Sequence, residues 1–126
     1  LPRMRVLVVD DDAVNRQAMM MLLEREGHDV VAVENGLDAI QRIGDHDATF
    51  DAVVTDLHMS RLGGRALYEQ VVDRRPQLAR RFVFVTGDQA REDTRRFLES
   101  CGQPSVTKPY ELDDLLSAIG TAVRQA

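Results

Sequence analysis

Short apolar runs rich in β-branched residues recur along the chain, and each is followed by apolar residues at helical spacing. The runs cover residues 6–9, 30–33, 52–54 and 82–85, with Val106 marking a short fifth. The segments between them carry Val14, Ala18, Met21 and Leu22; then Leu37, Ile40 and Ile43; then Ala66, Leu67 and Val71; then Ala90, Thr94, Phe97, Leu98 and Cys101; and finally Leu112, Leu115, Leu116, Ile119 and Val123. Continuous apolar runs, as opposed to alternating ones, belong to strands buried on both faces. Five strands and five helices in strict alternation predict an α/β fold, a parallel sheet with helices on both sides. Gly27 is placed to end the first helix, and Asn35-Gly36 turns the chain into the second. No repeat or Pro/Gly-rich linker interrupts the pattern, so residues 1–126 are expected to form a single domain.

In a parallel sheet of this kind a site forms beyond the carboxyl ends of the strands, where strand order reverses. Residues just after each run therefore matter most. They are Asp10-Asp11-Asp12, Glu34-Asn35, Thr55-Asp56, Thr86-Gly87-Asp88 and Thr107-Lys108-Pro109. Acids following the first and third strands become neighbours if those strands are adjacent. Two unit charges about 4 Å apart repel by roughly 4 kcal/mol at an effective dielectric near 20. Such a cluster calls for a counter-charge, and oxygen-only ligands favour Mg²⁺ over zinc. His28, His46 and His58 are not spaced as a ligand set. Each residue also has a plainer reading. Asp12 suits the N-cap of the first helix, Asp10 and Asp11 suit a helix start, Thr86-Gly87-Asp88 suits a turn, and Lys108 suits a surface site before a proline. Together, at the ends of different strands, they are better explained by one site.

Composition narrows the classes further. The net charge of −5 argues against nucleic-acid binding, and the Arg74-Arg75, Arg80-Arg81 and Arg95-Arg96 pairs read as solvated helix ends. No apolar run reaches the eighteen or so residues of a membrane span, so no membrane contact is expected. A lone Cys101 and no visible secretory signal point to the cytoplasm. The chain has fifteen Arg and a single Lys, Lys108. Where positive charge alone sufficed this chain uses Arg, so that one ammonium asks for a specific explanation.

Taken in order, residues 6–11 (Val-Leu-Val-Val-Asp-Asp), 53–59 (Val-Val-Thr-Asp-Leu-His-Met), 85–88 (Val-Thr-Gly-Asp) and 108–110 (Lys-Pro-Tyr) resemble the receiver domain of two-component response regulators. The likeness runs from about Arg5 to Ala122. It implies a flavodoxin-like (βα)5 sandwich with strand order 2-1-3-4-5. It also implies roles. Asp56 is the phosphoacceptor. Asp10 and Asp11, with Asp56 and the backbone carbonyl of His58, hold Mg²⁺. Thr86 and Lys108 bond phosphoryl oxygens. A histidine kinase or a histidine phosphotransfer domain is the donor, with self-phosphorylation and slow autodephosphorylation as the chain's own chemistry. A homodimer would form through the fourth helix, fifth strand and last helix.

Two positions depart from the family pattern. Ser60 stands where most members have Pro, which predicts a looser loop. Ser105, after Pro104, stands where receivers that switch by aromatic rotation carry Tyr or Phe. Residues 97–110 resemble receivers attached to hybrid histidine kinases, so a hybrid-kinase module is expected, with a stand-alone or effector-linked regulator as the alternative. Asp10-x-Asp12-x-Val14 also matches the nucleophile motif of haloacid-dehalogenase-type phosphatases, with Asp10 as nucleophile and Asp12 as general acid. That reading lacks a further acidic pair after the lysine and leaves Asp56 idle. A degenerate receiver used only for binding is the other rival, and no Gly-x-Gly-x-x-Gly or P-loop pattern supports nucleotide binding.

Overall fold

A computed structural model describes residues 2–44, 49–87 and 91–126. Five strands, β1 (Arg5–Val9), β2 (Asp29–Val33), β3 (Ala52–Asp56), β4 (Phe82–Thr86) and β5 (Ser105–Thr107), form one parallel sheet in the order β2-β1-β3-β4-β5. The expected topology is the observed one. The order reverses between β1 and β3, so the chain segments leaving these two strands diverge and open a cleft above the sheet.

Side-chain alternation divides the core in two. Leu7, Val9, Val53, Phe82 and Phe84 face α2 (Gly36–Gly44), α3 (Gly64–Arg74) and α5 (Glu92–Cys101). Val6, Val8, Ala52, Val54, Val83, Val85 and Val106 face α1 (Ala13–Arg25) and α6 (Leu112–Gln125). On the first face Tyr68, Phe82, Phe84 and Phe97 pack largely edge to face, at centroid separations of 5.2–6.0 Å. Among the described residues no helix is long and apolar enough to cross a membrane.

Three expectations change. A sixth helical segment, the short turn α4 (Pro76–Ala79), is started by Pro76 and tucks Leu78 and Ala79 into the core. Helix α1 buries Met19 and Leu23, while Val14 and Met21 of the predicted stripe are 78% and 44% exposed. Leu37 likewise points outward. Two of the paired arginines are structural, because Arg75 donates to the carbonyl of Ile43 at 2.8 Å and Arg81 to that of Asp51 at 3.1 Å. Ala90, Asp88 and His46 lie outside the described residues.

Candidate functional site

Asp10 continues directly from β1, and its amide still donates to Val33 of β2 at 3.1 Å. The chain then turns into α1, where Asp12 is the N-cap and accepts from the amides of Val14 and Asn15 at 2.9 and 3.1 Å. Asp56 is the last residue of β3, opposite Val85 of β4. Carboxylate oxygens of Asp10, Asp11 and Asp56 all lie within 4.8 Å of one another. Asp10 and Asp56 are only 3% and 7% exposed, whereas Asp11 stands at the open rim.

Lys108 enters from the β5 side. Its Nζ lies 2.7 Å from Asp56 Oδ2 and 3.9 Å from Asp10 Oδ2. The peptide of Lys108 is fixed by its N–H, which donates to the carbonyl of Thr86 at 2.9 Å. Thr86 is fully buried at the end of β4, one step beyond the residue opposite Asp56. His58 donates its main-chain N–H to Asp56 Oδ1 at 3.1 Å, and its imidazole leans to Thr94 at 3.5 Å. The structure thus gathers Asp10, Asp11, Asp56 and Lys108 and turns the His58 ring away from them.

Three carboxylates against one ammonium leave the cleft net negative. Burial raises the Asp10 carboxyl above its ordinary range; the Asp12 amide and Lys108 oppose this, and the charges of Asp56 and Asp11 add to it. Burial on its own would lower the Lys108 ammonium, but the hydrogen bond to Asp56 and the charges of Asp56, Asp10 and Asp12 outweigh it and raise it. An all-oxygen cluster with uncompensated negative charge fits a hard divalent cation.

The native state therefore keeps the Asp10 proton at pH values where the unfolded chain has lost it. Stability of the metal-free protein falls as pH rises from the unfolded value through the raised native one. Asn at position 10 keeps an acceptor for the Asp12 amide, which donates to Asp10 Oδ1 at 2.9 Å. Asp10→Asn is expected to raise the Tm of the metal-free protein at neutral pH by about 3–5 °C, the effect of on the order of 1 kcal/mol. The gain should vanish below the ordinary carboxylate range, and Mg²⁺ affinity should drop. Thermal melts in a chelator across pH check this; a gain independent of pH would contradict it.

Ser60 overturns the expectation of a loosened loop. Its amide donates to Asp11 Oδ2 at 3.2 Å, tying the loop after β3 to the one after β1. Proline has no N–H and cannot make this bond. Ser60→Pro should weaken Mg²⁺ binding by about tenfold, as loss of an outer support usually does. Ser60→Ala, which keeps the amide, should not, and calorimetric titration with Mg²⁺ separates the two. Sequence reading missed this tether because main-chain donors leave no mark in residue identity. It also missed Arg16, whose Nη1 donates to the carbonyl of Asp10 at 2.8 Å.

With this geometry in place, comparison with known proteins is decisive. The family model described as "Response regulator receiver domain" matches residues 6–120. The chain belongs to this family. Among relatives, the receiver is 29% identical over 127 residues to the sensory/regulatory protein RpfC of Xanthomonas campestris, covering 97% of this chain and 17% of that protein. It is 33% identical over 118 residues to the sensor protein GacS of Pseudomonas syringae, covering 91% of this chain and 13% of that protein. The chain thus spans about a sixth or less of these relatives. Among solved structures, a CheY-like receiver domain protein from Methanospirillum hungatei superposes with a TM-score of 0.85 at 25% identity, over 98% of this chain and 95% of that one. The receiver domain of the sensor histidine kinase PA1611 from Pseudomonas aeruginosa, with a magnesium ion in its active-site cleft, superposes at 0.83 and 19% identity, over 97% and 98% of the two chains.

The residue that the phosphatase alternative needs as general acid, Asp12, serves as the α1 N-cap, its Oδ1 accepting from the amides of Val14 and Asn15.

Proposed function

We propose that residues 1–126 form one phosphoacceptor module of a phosphorelay, taking a phosphoryl group from a phosphohistidine onto Asp56. The observation that carries this reading is the Asp56 carboxylate itself. It is nearly buried at the head of the cleft, with an ammonium at 2.7 Å and two more carboxylates clustered with it. In the transfer an Asp56 oxygen forms a bond to phosphorus as the phosphorus–nitrogen bond of the donor breaks, and the imidazole keeps the electron pair. Charge in flight spreads over the peripheral phosphoryl oxygens, so catalysis is mostly positioning and charge stabilisation. Lys108 follows the charge from the carboxylate to a phosphoryl oxygen, and the Thr86 hydroxyl takes another. The His58 amide holds Asp56 Oδ1 in place.

Asp10, Asp11, Asp56 and the His58 carbonyl would hold Mg²⁺, which when bound neutralises the acids and offsets the incoming charge. The receiver of PA1611, with magnesium in its cleft, supports this assignment by analogy of fold. The donor is a histidine kinase or histidine phosphotransfer domain, and its docking face is α1. Val14, Ala18 and Met21 are exposed there, beside a groove of about 440 Å³ lined by Met19, Leu22, Lys108, Pro109 and Tyr110. The likeness to sensor kinases supports a place within a cytoplasmic hybrid kinase. The family's output face, here α5, β5 and α6, is the proposed homodimer surface, and a net charge of −5 gives nucleic acid no purchase.

Incubation with acetyl phosphate and Mg²⁺, borohydride trapping and peptide mass spectrometry test the reading. Label at Asp56 is the expected result; label at Asp10 would overturn it in favour of a phosphatase-type nucleophile.

A further inference from the structure

The acidic turn after β1 carries like charges that push one another apart, so something must hold its backbone. The Asp10 peptide is gripped on both sides. Its N–H donates to Val33 of β2, and its carbonyl accepts from Arg16 Nη1 at 2.8 Å. Arg16 is itself fixed, because its N–H closes the first turn of α1 onto the carbonyl of Asp12 at 2.9 Å. The Asp12 amide then holds Asp10 Oδ1. With its backbone and one carboxylate oxygen held, Asp10 is left with its Oδ2 edge toward Lys108.

The guanidinium is half-buried beside a shallow groove that also contains Glu34, Asp38, Gln41 and Arg42. Glu34 and Asp38 give the guanidinium acidic neighbours in this groove, yet its 2.8 Å hydrogen bond goes to the Asp10 carbonyl, although its charge would repel a second cation seated among Asp10, Asp11 and Asp56.

We propose that Arg16 is a positioning residue for the divalent cation: it clamps the Asp10 carbonyl so that the acidic pair is preset for metal before any phosphoryl donor arrives. This rests on the magnesium reading above. The two competing effects have opposite signs. Loss of positive charge by itself tightens Mg²⁺, whereas loss of the clamp weakens it.

The experiment is calorimetric titration of the whole chain with Mg²⁺ alone, without any phosphodonor, with melting curves in a chelator alongside. Arg16→Met, which keeps the apolar stem, should weaken Mg²⁺ about tenfold or more, the usual effect of removing an outer support. Arg16→Lys, which keeps a charged donor, should recover most of the affinity. Arg42→Met, which removes the same charge from the same groove, should leave the affinity unchanged or tighten it. If Arg16→Met fails to fold, Arg16→Gln carries the same expectation of weakening. An Arg16→Met or Arg16→Gln protein that binds Mg²⁺ as tightly as wild type, or more tightly, overturns the proposal while leaving the magnesium site intact. A wild-type chain that binds no Mg²⁺ overturns both.

Discussion

Asp56→Asn should give a folded protein that takes no label from acetyl phosphate or from a phosphohistidine donor. Asn is nearly isosteric and its carbonyl oxygen can still accept from the His58 amide. What it lacks is the anionic oxygen that attacks phosphorus. The substitution removes the 2.7 Å pair with Lys108, a charge-assisted hydrogen bond worth roughly 1.5–3 kcal/mol in typical cases. It also relieves the repulsion of Asp56 by Asp10 and Asp11, which lie in the same cluster. These contributions oppose each other, so Tm should change little while labelling falls to background. Mass spectrometry and a melting curve on one preparation check both halves. Label at wild-type rate on another acid of the cluster would refute the assignment.

Gly64→Ala should damage fold and chemistry together. Gly64 opens α3 and its amide donates to the carbonyl of Leu57. A Cβ there would collide with the main-chain oxygen of Asp56 and stand 3.1 Å from its carbonyl carbon. The obstructing atoms are backbone, so no rotamer change relieves them. Overpacking of this kind costs about 1–3 kcal/mol, and the strain falls on the peptide of the proposed phosphoacceptor, Asp56. A lower Tm with slower labelling of Asp56 is the expected pair. Gly44→Ala is the control: among the described residues nothing lies within 4 Å of the added methyl, so stability should hold or rise by about 0.4–1 kcal/mol. Loss of stability in Gly64→Ala with unchanged labelling rate would show that the packing does not reach the site.

Much of this was legible in the order of residues. The five strands and the rank of acids, threonines and lysine at their ends follow from period and composition, because parallel strands must be apolar on both faces. The face of α1 was not legible. Residues 19–23 read Met-Met-Met-Leu-Leu, apolar around the whole helix. Two stripes, one through Met19 and Leu23 and one through Val14, Ala18 and Met21, compete on nearly equal terms. Packing against the sheet and α6 settles which is buried. Similarly, Arg75 and Arg81 look like surface charge until a carbonyl from a distant segment is placed beside each.

The sequence by itself determined the alternation of strands and helices and which side chains could serve the cleft, because burial on two faces and helical period are written in local residue patterns, whereas the strand order followed from the resemblance to receivers. Only the tertiary structure decided how the site is held: the Ser60 amide on Asp11, the Arg16 clamp on the Asp10 carbonyl and the absence of a side chain at Gly64 against Asp56. Each of these supports has a main-chain atom on one side, and which group a main-chain atom meets across 49 residues is fixed by strand order and not by residue type.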